Sequence, residues 1–244
     1  MAAKQLDELT WPEVREEIAR GRDTVVMAFG ATEQHGPHMA LCTDRVLGEE
    51  LTRRVADALD AFAAPAVPFG CSSHHLAFPG TISLSDATFH GIVADAVSSL
   101  IQGGFKRIVL LPSHGGNFAP LAAALEQLEA PNGVRIDAIT DISVLAGIPQ
   151  QGATEHDVPA GEGGLHAGEW ETSMMLAIQP QLVHMERAEP GYTGDPAEAI
   201  GALFSAGVDS LAANGVIGDP SRASAEHGEA YWQRLTELTL EAIS

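Results

Sequence analysis

Apolar runs alternate with amphipathic segments along this chain, a pattern typical of strands that are buried on both faces between helices. The two clearest runs are TVVMAFG at 24–30 and KRIVLLP at 106–112. Shorter runs at 64–70 (APAVPFG) and 134–140 (VRIDAIT) predict two further strands. Strands that alternate with helices are joined in parallel by crossover connections. The pattern therefore predicts the α/β class, with three layers, α/β/α, around a mostly parallel central sheet.

The segments between these runs carry helix start signals. Thr10 is placed to cap a first helix, with Pro12 in its first turn and Glu13 positioned for a capping box. Ser85 is placed to cap another helix, which runs to Gly103–Gly104. Further helices are predicted at 44–60, 118–130, 169–178 and 224–243. The stretch 145–165 shows no such pattern and predicts a long irregular loop, which in a compact domain is usually functional or mobile.

Length and composition fit one compact domain, 1–244, without internal repeats. Hydrophobic residues make up 45% of the chain, enough for a sizeable core. The 33 acids and 13 bases give a net charge of −20, which disfavours nucleic acids and anionic membranes as partners. The two cysteines, Cys42 and Cys71, form neither a disulfide framework nor a zinc–thiolate spacing. Without an apolar leader or a run approaching about 18 apolar residues, the expected location is cytoplasmic.

The segment GATEQHGPHMALCTD, 30–44, concentrates candidate metal ligands directly after the first buried strand. It therefore lies at a carboxyl end of the sheet, where open α/β folds bind their ligands. Residues two apart in an extended chain point the same way, so Glu33 and His35 can converge on one ion. Asp44 begins the next helix, where its carboxylate can bridge two cations or serve only as an N-cap. His38, taken alone, fits a surface histidine.

Two later motifs place further donors near the same edge. LLPSHGGN, 110–117, follows the second clear strand and contributes His114. Its glycines also fit a phosphate-binding turn, although the usual phosphate-loop spacings are absent. HAGEWETS, 166–173, follows the predicted loop and opens a helix with Glu169 and Glu171. Acids in a first helical turn are favoured by the helix dipole. This explanation accounts for only one of the two glutamates.

Combined, these motifs supply nitrogen and oxygen donors without sulfur: Glu33, His35, Asp44, His114 and Glu169. Carboxylates and imidazoles suit Zn²⁺, Mn²⁺ or Fe²⁺. Three carboxylates and two histidines suffice for two divalent ions that share a bridging group, activate water and polarise a carbonyl. The segment CSSHHLAFPGTISL, 71–84, also begins at a sheet edge, and we interpret it as a substrate-facing loop.

The quoted motifs resemble the signature segments of the creatininase family of metal-dependent amidohydrolases. GATEQHGPHMALCTD, FPGTISL, SHGGN and HAGEWETS occur in the family's order, and the similarity spans about residues 6–222, including LTWPEV near its start and GDPSRASAEHG near its end. The resemblance implies a layered α/β/α fold and a centre of two divalent metal ions, Zn²⁺ and/or Mn²⁺, with Fe²⁺ as a further candidate. It also implies a homo-oligomer, commonly a hexamer, that acts on a small-molecule substrate.

By motif, the resemblance assigns four metal ligands, with the aspartate bridging: Glu33, His35, Asp44 and His114. Creatininase itself carries a further glutamate where this chain has Gly116. The resemblance assigns the missing carboxylate to Glu169 of the HAGE segment. Glu171 stays open as the alternative ligand.

The implied reaction is hydrolysis of a C–N bond, in a cyclic amide, amide or formamide, by a hydroxide that bridges the metals. His166 matches the family's proton-transferring histidine and is expected to protonate the leaving nitrogen, with Glu171 orienting it. Ser73 and His75 are expected to contact the substrate. Trp170 is the nearby aromatic candidate for stacking, because 145–165 contains no Trp, Phe or Tyr.

Several alternatives stay open. Family members also include a mycofactocin-type peptidase, a deformylase of a ribosylaminopyrimidine formamide and a hydrolase of a cyclic keto-sugar. A catalytically silent metal- or ligand-binding protein is a hypothesis from another class, which the intact ligand set disfavours. A flavodoxin-like nucleotide-binding module would use SHGGN to bind phosphate without metal. Metal content and metal-dependent turnover separate these hypotheses.

Overall fold

The computed structural model describes residues 3–244, apart from the side chains of residues 196 and 197. Its strands are β1 (Lys4–Gln5), β2 (Thr24–Phe29), β3 (Phe62–Ala63), β4 (Arg107–Pro112) and β5 (Arg135–Ala138). They form one sheet in the order β1-β3-β2-β4-β5, with all neighbours parallel. The strands predicted at 24–30, 106–112 and 134–140 are confirmed, and so is the mostly parallel sheet.

The strand predicted at 64–70 is wrong, because β3 ends before it. Pro65 and Pro68 lie within that segment, and proline has no N–H to donate to a neighbouring strand. Beyond β3 the chain meets β2 through the Ala64 amide, which donates to the Val26 oxygen, and through an isolated bridge between Phe29 and Val67. The segment that follows is thereby free to leave the sheet and turn over its carboxyl edge.

Helices surround this sheet. Their bounds are α1 (Trp11–Ala19), α2 (Thr43–Leu59), α3 (Asp86–Gln102), α4 (Phe118–Leu125), α5 (Gly147–Glu155), α6 (Ala160–Gly163), α7 (Glu169–Ile178), α8 (Pro196–Ala206) and α9 (Ala225–Ala242). The capping box of Thr10 and Glu13 is present, and Ser85 accepts a hydrogen bond from the Thr88 amide. Within residues 3–244, no helix is long and apolar enough to cross a membrane.

The prediction that 145–165 is an irregular loop is wrong, because α5 and α6 lie within it. Helix α5 packs against α9, and Ile148 is fully buried in the same apolar cluster as Tyr231 and Trp232. The intrinsic helix preference of GIPQQGATE is weak, so this contact supplies what the local sequence lacks.

The apolar core lies on both faces of the sheet. Along β2, Val26 and Ala28 belong to a cluster with side chains from α2, α7 and α9. Val25 and Phe29 belong to a second cluster with side chains from α3 and α4. Side chains alternate between the faces of a strand, so one continuous apolar run serves both clusters. The predicted three-layer arrangement is confirmed.

This register brings the segments after β2 and β4 together. Phe29 pairs with Pro112, so 30–42 and 113–117 leave the sheet side by side. The start of α2 packs directly on Gly30, where a Cβ would lie 2.8 Å from the backbone of Arg45. A glycine at this position thus allows the first turn of α2 to approach the end of β2.

Candidate metal centre

Four predicted ligands meet at this edge, none more than 5% exposed: Glu33, His35, Asp44 and His114. The two oxygens of Asp44 face different histidines, with Oδ1 3.2 Å from His35 Nε2 and Oδ2 3.2 Å from His114 Nδ1. Glu33 Oε1 also lies 3.2 Å from His114 Nδ1. The structure therefore brings side chains from two loops and the first turn of α2 into one cluster.

The outer ring nitrogens of these histidines lie against backbone oxygens. His35 Nδ1 is 3.2 Å from the carbonyl oxygen of Glu33, and His114 Nε2 is 3.2 Å from that of Cys71. A carbonyl only accepts hydrogen bonds, so each outer nitrogen carries the proton. In a neutral imidazole the inner nitrogen then holds a lone pair, which here faces a carboxylate. Metal-binding histidines are oriented by the same kind of outer contact.

Several atoms of the cluster are buried without a hydrogen-bond partner among the described residues. They are both carboxylate oxygens of Glu33, Nε2 of His35 and Oδ2 of Asp44. Buried polar atoms are costly to leave unsatisfied. Lone pairs that face one another across 3.2 Å repel, unless a proton or a cation lies between them. Nitrogen and oxygen donors in this arrangement fit divalent ions such as Zn²⁺ or Mn²⁺.

Burial and charge shift the proton affinities of the cluster. Burial raises the pKa of Glu33. Burial also favours the neutral form of Asp44, but His35 and His114 outweigh it and hold the pKa of Asp44 well below its usual range. In return, Asp44 overcomes the effect of burial on His35 and raises its pKa to about 9. Without a cation, the cluster therefore retains protons that a bound cation would displace.

Three further residues border the same cluster: His75, His166 and Glu171. His75 Nε2 lies 3.2 Å from Glu33 Oε1, so the structure places this predicted substrate contact among the candidate ligands. A ligand atom of His35, one of His166 and one of Glu171 lie within 4.8 Å of one another. Glu171 also accepts a hydrogen bond of 2.5 Å from the Ala167 amide, and burial raises its pKa to about 7.

The structure does not bring Glu169, the expected fifth ligand, to this cluster. Its fully buried carboxylate accepts hydrogen bonds of 2.8 Å from Ser173 Oγ, His227 Nδ1 and Tyr231 OH. Residues two apart on a helix point roughly 200° apart, so Glu169 and Glu171 cannot face the same ion. Glu169 instead ties α7 to α9, and Glu171 supplies the carboxylate near His35.

Gln34 is a site residue that sequence reasoning missed. Its backbone oxygen lies 2.8 Å from His166 Nε2, which directs His166 Nδ1 toward Glu33 Oε1 at 3.8 Å. Its side-chain Nε2 lies 2.9 Å from His75 Nδ1 and 3.1 Å from the oxygen of Gly215. The same Nε2 also lies 2.9 Å from His166 Nε2, so one residue contacts both histidines. The position of Gln34 between Glu33 and His35 is the sequence feature that could have identified it as a site residue.

His38 is also misjudged by sequence, because it is fully buried rather than on the surface. Its Nε2 lies 3.0 Å from Thr172 Oγ1, and burial lowers its pKa to about 4. Ser73 is exposed and lines a pocket beside His74, and its contact with substrate stays a prediction. Trp170 is not brought to the cluster. It donates a hydrogen bond to the oxygen of Gly164 and packs against the main apolar cluster.

Comparison with known proteins agrees with this geometry. The family model for creatininase, described as creatinine amidohydrolase, matches residues 7–243. The mycofactocin precursor peptide peptidase of Mycolicibacterium smegmatis is 33% identical over 225 residues, covering 90% of this chain and 83% of the relative. The creatinine amidohydrolase of Pseudomonas putida is 31% identical over 251 residues, covering 97% and 94%.

A solved mutant creatininase of Zn-Zn type superposes with a TM-score of 0.73 at 29% identity, covering 100% of this chain and 98% of the other. The match to the family model spans nearly all of the chain, and the similarity to relatives and structures is equally extensive. The family is metal-dependent, and relatives such as the creatinine amidohydrolase are hydrolases of carbon–nitrogen bonds. The chain therefore belongs to the creatininase family of amidohydrolases.

Proposed function

We propose that this protein hydrolyses a C–N bond in a small molecule, in a cyclic amide, amide or formamide, with the help of two divalent ions. One observation carries the proposal: buried imidazole nitrogens and carboxylate oxygens converge at 3.2 Å, and His35 Nε2, Asp44 Oδ2 and both oxygens of Glu33 have no hydrogen-bond partner among the described residues. Such an arrangement suits cations better than it suits an empty protein interior.

Five residues are proposed to hold the ions: Glu33, His35, Asp44, His114 and Glu171. Asp44 is the bridging candidate, since its oxygens face His35 and His114 separately. Glu171 replaces Glu169 in the proposed set, because it alone of the two approaches His35. Divalent ions bound there would supply Lewis acidity for a scissile carbonyl and a nucleophile at neutral pH.

His166 is the proposed proton carrier. The Gln34 backbone oxygen holds its Nε2, so Nδ1 is the atom left to exchange protons beside Glu33. Burial lowers the pKa of His166 well below its usual value, so the ring is neutral at pH 7. A neutral imidazole can accept a proton at Nδ1 from attacking water and deliver it to the leaving nitrogen. The side chain of Gln34, by orienting His75 as well, keeps both rings in place.

Metal-dependent turnover tests the proposal. Protein stripped with a chelator is reloaded with Zn²⁺ or Mn²⁺ and incubated with cyclic amides, formamides and short peptides, while released amine is measured. We expect amine release only from the reloaded protein. A reloaded protein that binds close to two ions per chain and hydrolyses none of these classes would favour a silent binding protein instead.

A peptide substrate is the second candidate, favoured by the 33% identity with a mycofactocin precursor peptide peptidase. The two candidates separate by product. Hydrolysis confined to peptides would select the peptidase, whereas turnover of cyclic amides or formamides would select the small-molecule hydrolase.

We also propose a homo-oligomer, a hexamer by resemblance to the family. Large apolar side chains on the surface support it, including Trp11 at 69% and Leu76 at 57% exposure. Sedimentation tests it, and a lone 25.6 kDa chain at working concentration would contradict it.

A further inference from the structure

A pocket of about 270 Å³ opens beside the candidate metal centre. One wall is the short helical turn Ser73–His75 with Ala77, and the other is the end of α8 with the turn that follows it. None of the ligands proposed above lines it. Apart from the substrate contact expected of Ser73, the proposed reaction assigns this pocket no ligand chemistry.

His74 is the wall between the pocket and the metal centre. Its ring lies parallel to the ring of His114, with centroids 5.7 Å apart and an angle of 7° between the planes. The ring of Phe204 approaches it from the pocket, with centroids 4.9 Å apart. A molecule that reaches past His74 could therefore place one part near His114 and another part in the pocket.

The pocket combines an open aromatic face with a carboxylate. Phe204 is 52% exposed, and Asp209 is the only acid among the described residues that line the pocket. Asp209 is exposed, and among the described residues its carboxylate has no hydrogen-bond or ion-pair partner. An aromatic ring beside an unpaired carboxylate attracts organic cations, through the ring face and through charge.

Gly207 lies beside two hydrogen-bond acceptors of the pocket wall. Its backbone lies in the left-handed region, with φ +90°, and it has no side chain to fill the space. A Cβ there would lie 2.8 Å from Asp209 Oδ1 and 3.4 Å from the backbone oxygen of His74. The two acceptors therefore lie near each other on one side of Gly207, within reach of a single group that carries more than one N–H.

We propose that this pocket is a substrate subsite for a protonated nitrogen group, an ammonium or amidinium, carried on an arm outside the scissile bond. The assignment to substrate rests on the proposed function, because the arm is useful only if the neighbouring centre hydrolyses the rest of the molecule. Asp209 and the oxygen of His74 accept hydrogen bonds from the cation, and Phe204 covers its carbon skeleton. The subsite selects substrates with such an arm over neutral ones.

Binding of a probe tests the subsite without requiring turnover. The probe is 4-fluorobenzamidine, which stays protonated near neutral pH and so does not coordinate a metal. Its neutral counterpart is 4-fluoroacetophenone. Fluorine NMR titrations of metal-loaded protein should show the amidine binding more tightly than the ketone. Asp209→Asn should weaken amidine binding by about fivefold, the scale of one partly exposed charge contact.

Glu198→Gln is the matched control, because Glu198 is an exposed acid on α8 that does not line the pocket. It removes the same unit of charge from a chain of net charge −20 and should leave amidine binding unchanged. Phe204→Leu should weaken the amidine more than the ketone, since only the cation uses the ring quadrupole. Equal binding of the two probes, or amidine binding unchanged in Asp209→Asn, overturns the subsite.

Turnover separates failure of the subsite from failure of the function. N-formyl-lysine carries an ammonium at the end of its side chain, and N-formyl-norleucine has an uncharged side chain. If the protein hydrolyses formamides, the lysine compound should have a kcat/KM about fivefold higher, and Asp209→Asn should remove the difference. Hydrolysis without preference overturns the subsite alone. Asp209-dependent amidine binding with no hydrolysis of any amide overturns the proposed function and leaves a cation site.

Discussion

Glu169 and Glu171 lie two residues apart on α7, and their carboxylates serve opposite sides of that helix. Glu169 accepts hydrogen bonds from His227 and Tyr231, whereas Glu171 lies with His35 and His166. Both are buried acids in one helical turn. They form a natural matched pair, in which a change of acid to amide should affect different properties of the protein.

Glu171→Gln should lower the affinity for one of the two ions, because it removes a charged donor beside His35. Glu169→Gln should keep both ions and instead lower the free energy of unfolding by about 1–3 kcal/mol, the cost of impairing a buried hydrogen-bond network. Metal content after dialysis and thermal unfolding measure the two effects. The reverse pattern would restore Glu169 as the ligand.

Asp44→Ala should lose both ions, because one carboxylate faces both His35 and His114. Asp44→Asn keeps the shape and one oxygen acceptor, so it should retain more metal than the alanine variant. Elemental analysis of the purified variants measures this difference. Two ions bound per chain in Asp44→Ala would remove Asp44 from the bridging position.

His166→Ala should retain its metals and lose at least about 100-fold in kcat on any substrate that is hydrolysed, since general acid–base groups contribute about 10²–10⁴-fold. Gln34→Ala should cause a smaller loss, because the backbone oxygen that holds His166 remains while the side-chain contacts to His75, His166 and the Gly215 oxygen are removed. Turnover and metal content are measured on the same samples. Loss of metal from His166→Ala would make this histidine a ligand.

Metal uptake should weaken as the pH falls through about 7, since burial raises the pKa of Glu171 to about that value and a protonated carboxyl does not bind a cation. Calorimetry of Zn²⁺ binding to chelator-treated protein at pH 6.5, in buffers of different ionisation enthalpy, counts the protons released. Glu171→Gln should release fewer. The same number from both proteins would contradict the raised pKa.

The same group should affect stability in the opposite direction. The folded, metal-free protein binds the Glu171 proton more tightly than the unfolded chain does, whose ordinary glutamate pKa is about 4.3. Its contribution to the free energy of unfolding is therefore fully present below about pH 4.3 and is lost as the pH rises through about 7. Chemical unfolding of chelator-treated wild type and Glu171→Gln across that range measures the difference.

The sequence by itself determined the layered fold and the first four candidate ligands. The apolar runs of β2 and β4 are local signals, and parallel strands necessarily end at the same edge of a sheet. Residues placed directly after such strands, or in the first turn of the next helix, have little freedom to go elsewhere. Glu33, His35, Asp44 and His114 therefore meet where their positions along the chain predict.

Only the tertiary structure decided the features that depend on contacts between distant segments. The choice of Glu171 over Glu169 follows from the rotation of α7 about its axis, which its packing against α9 fixes. The linkage of Gln34 to His166 joins residues 132 positions apart. Phe204 and Asp209 reach His74 only because α8 and the turn after it fold back over the edge of the sheet. Polar residues on both sides of α7 are buried, so its sequence does not show which glutamate faces which neighbour. Contacts between distant segments leave no local pattern in the sequence, so these relationships appear only in three dimensions.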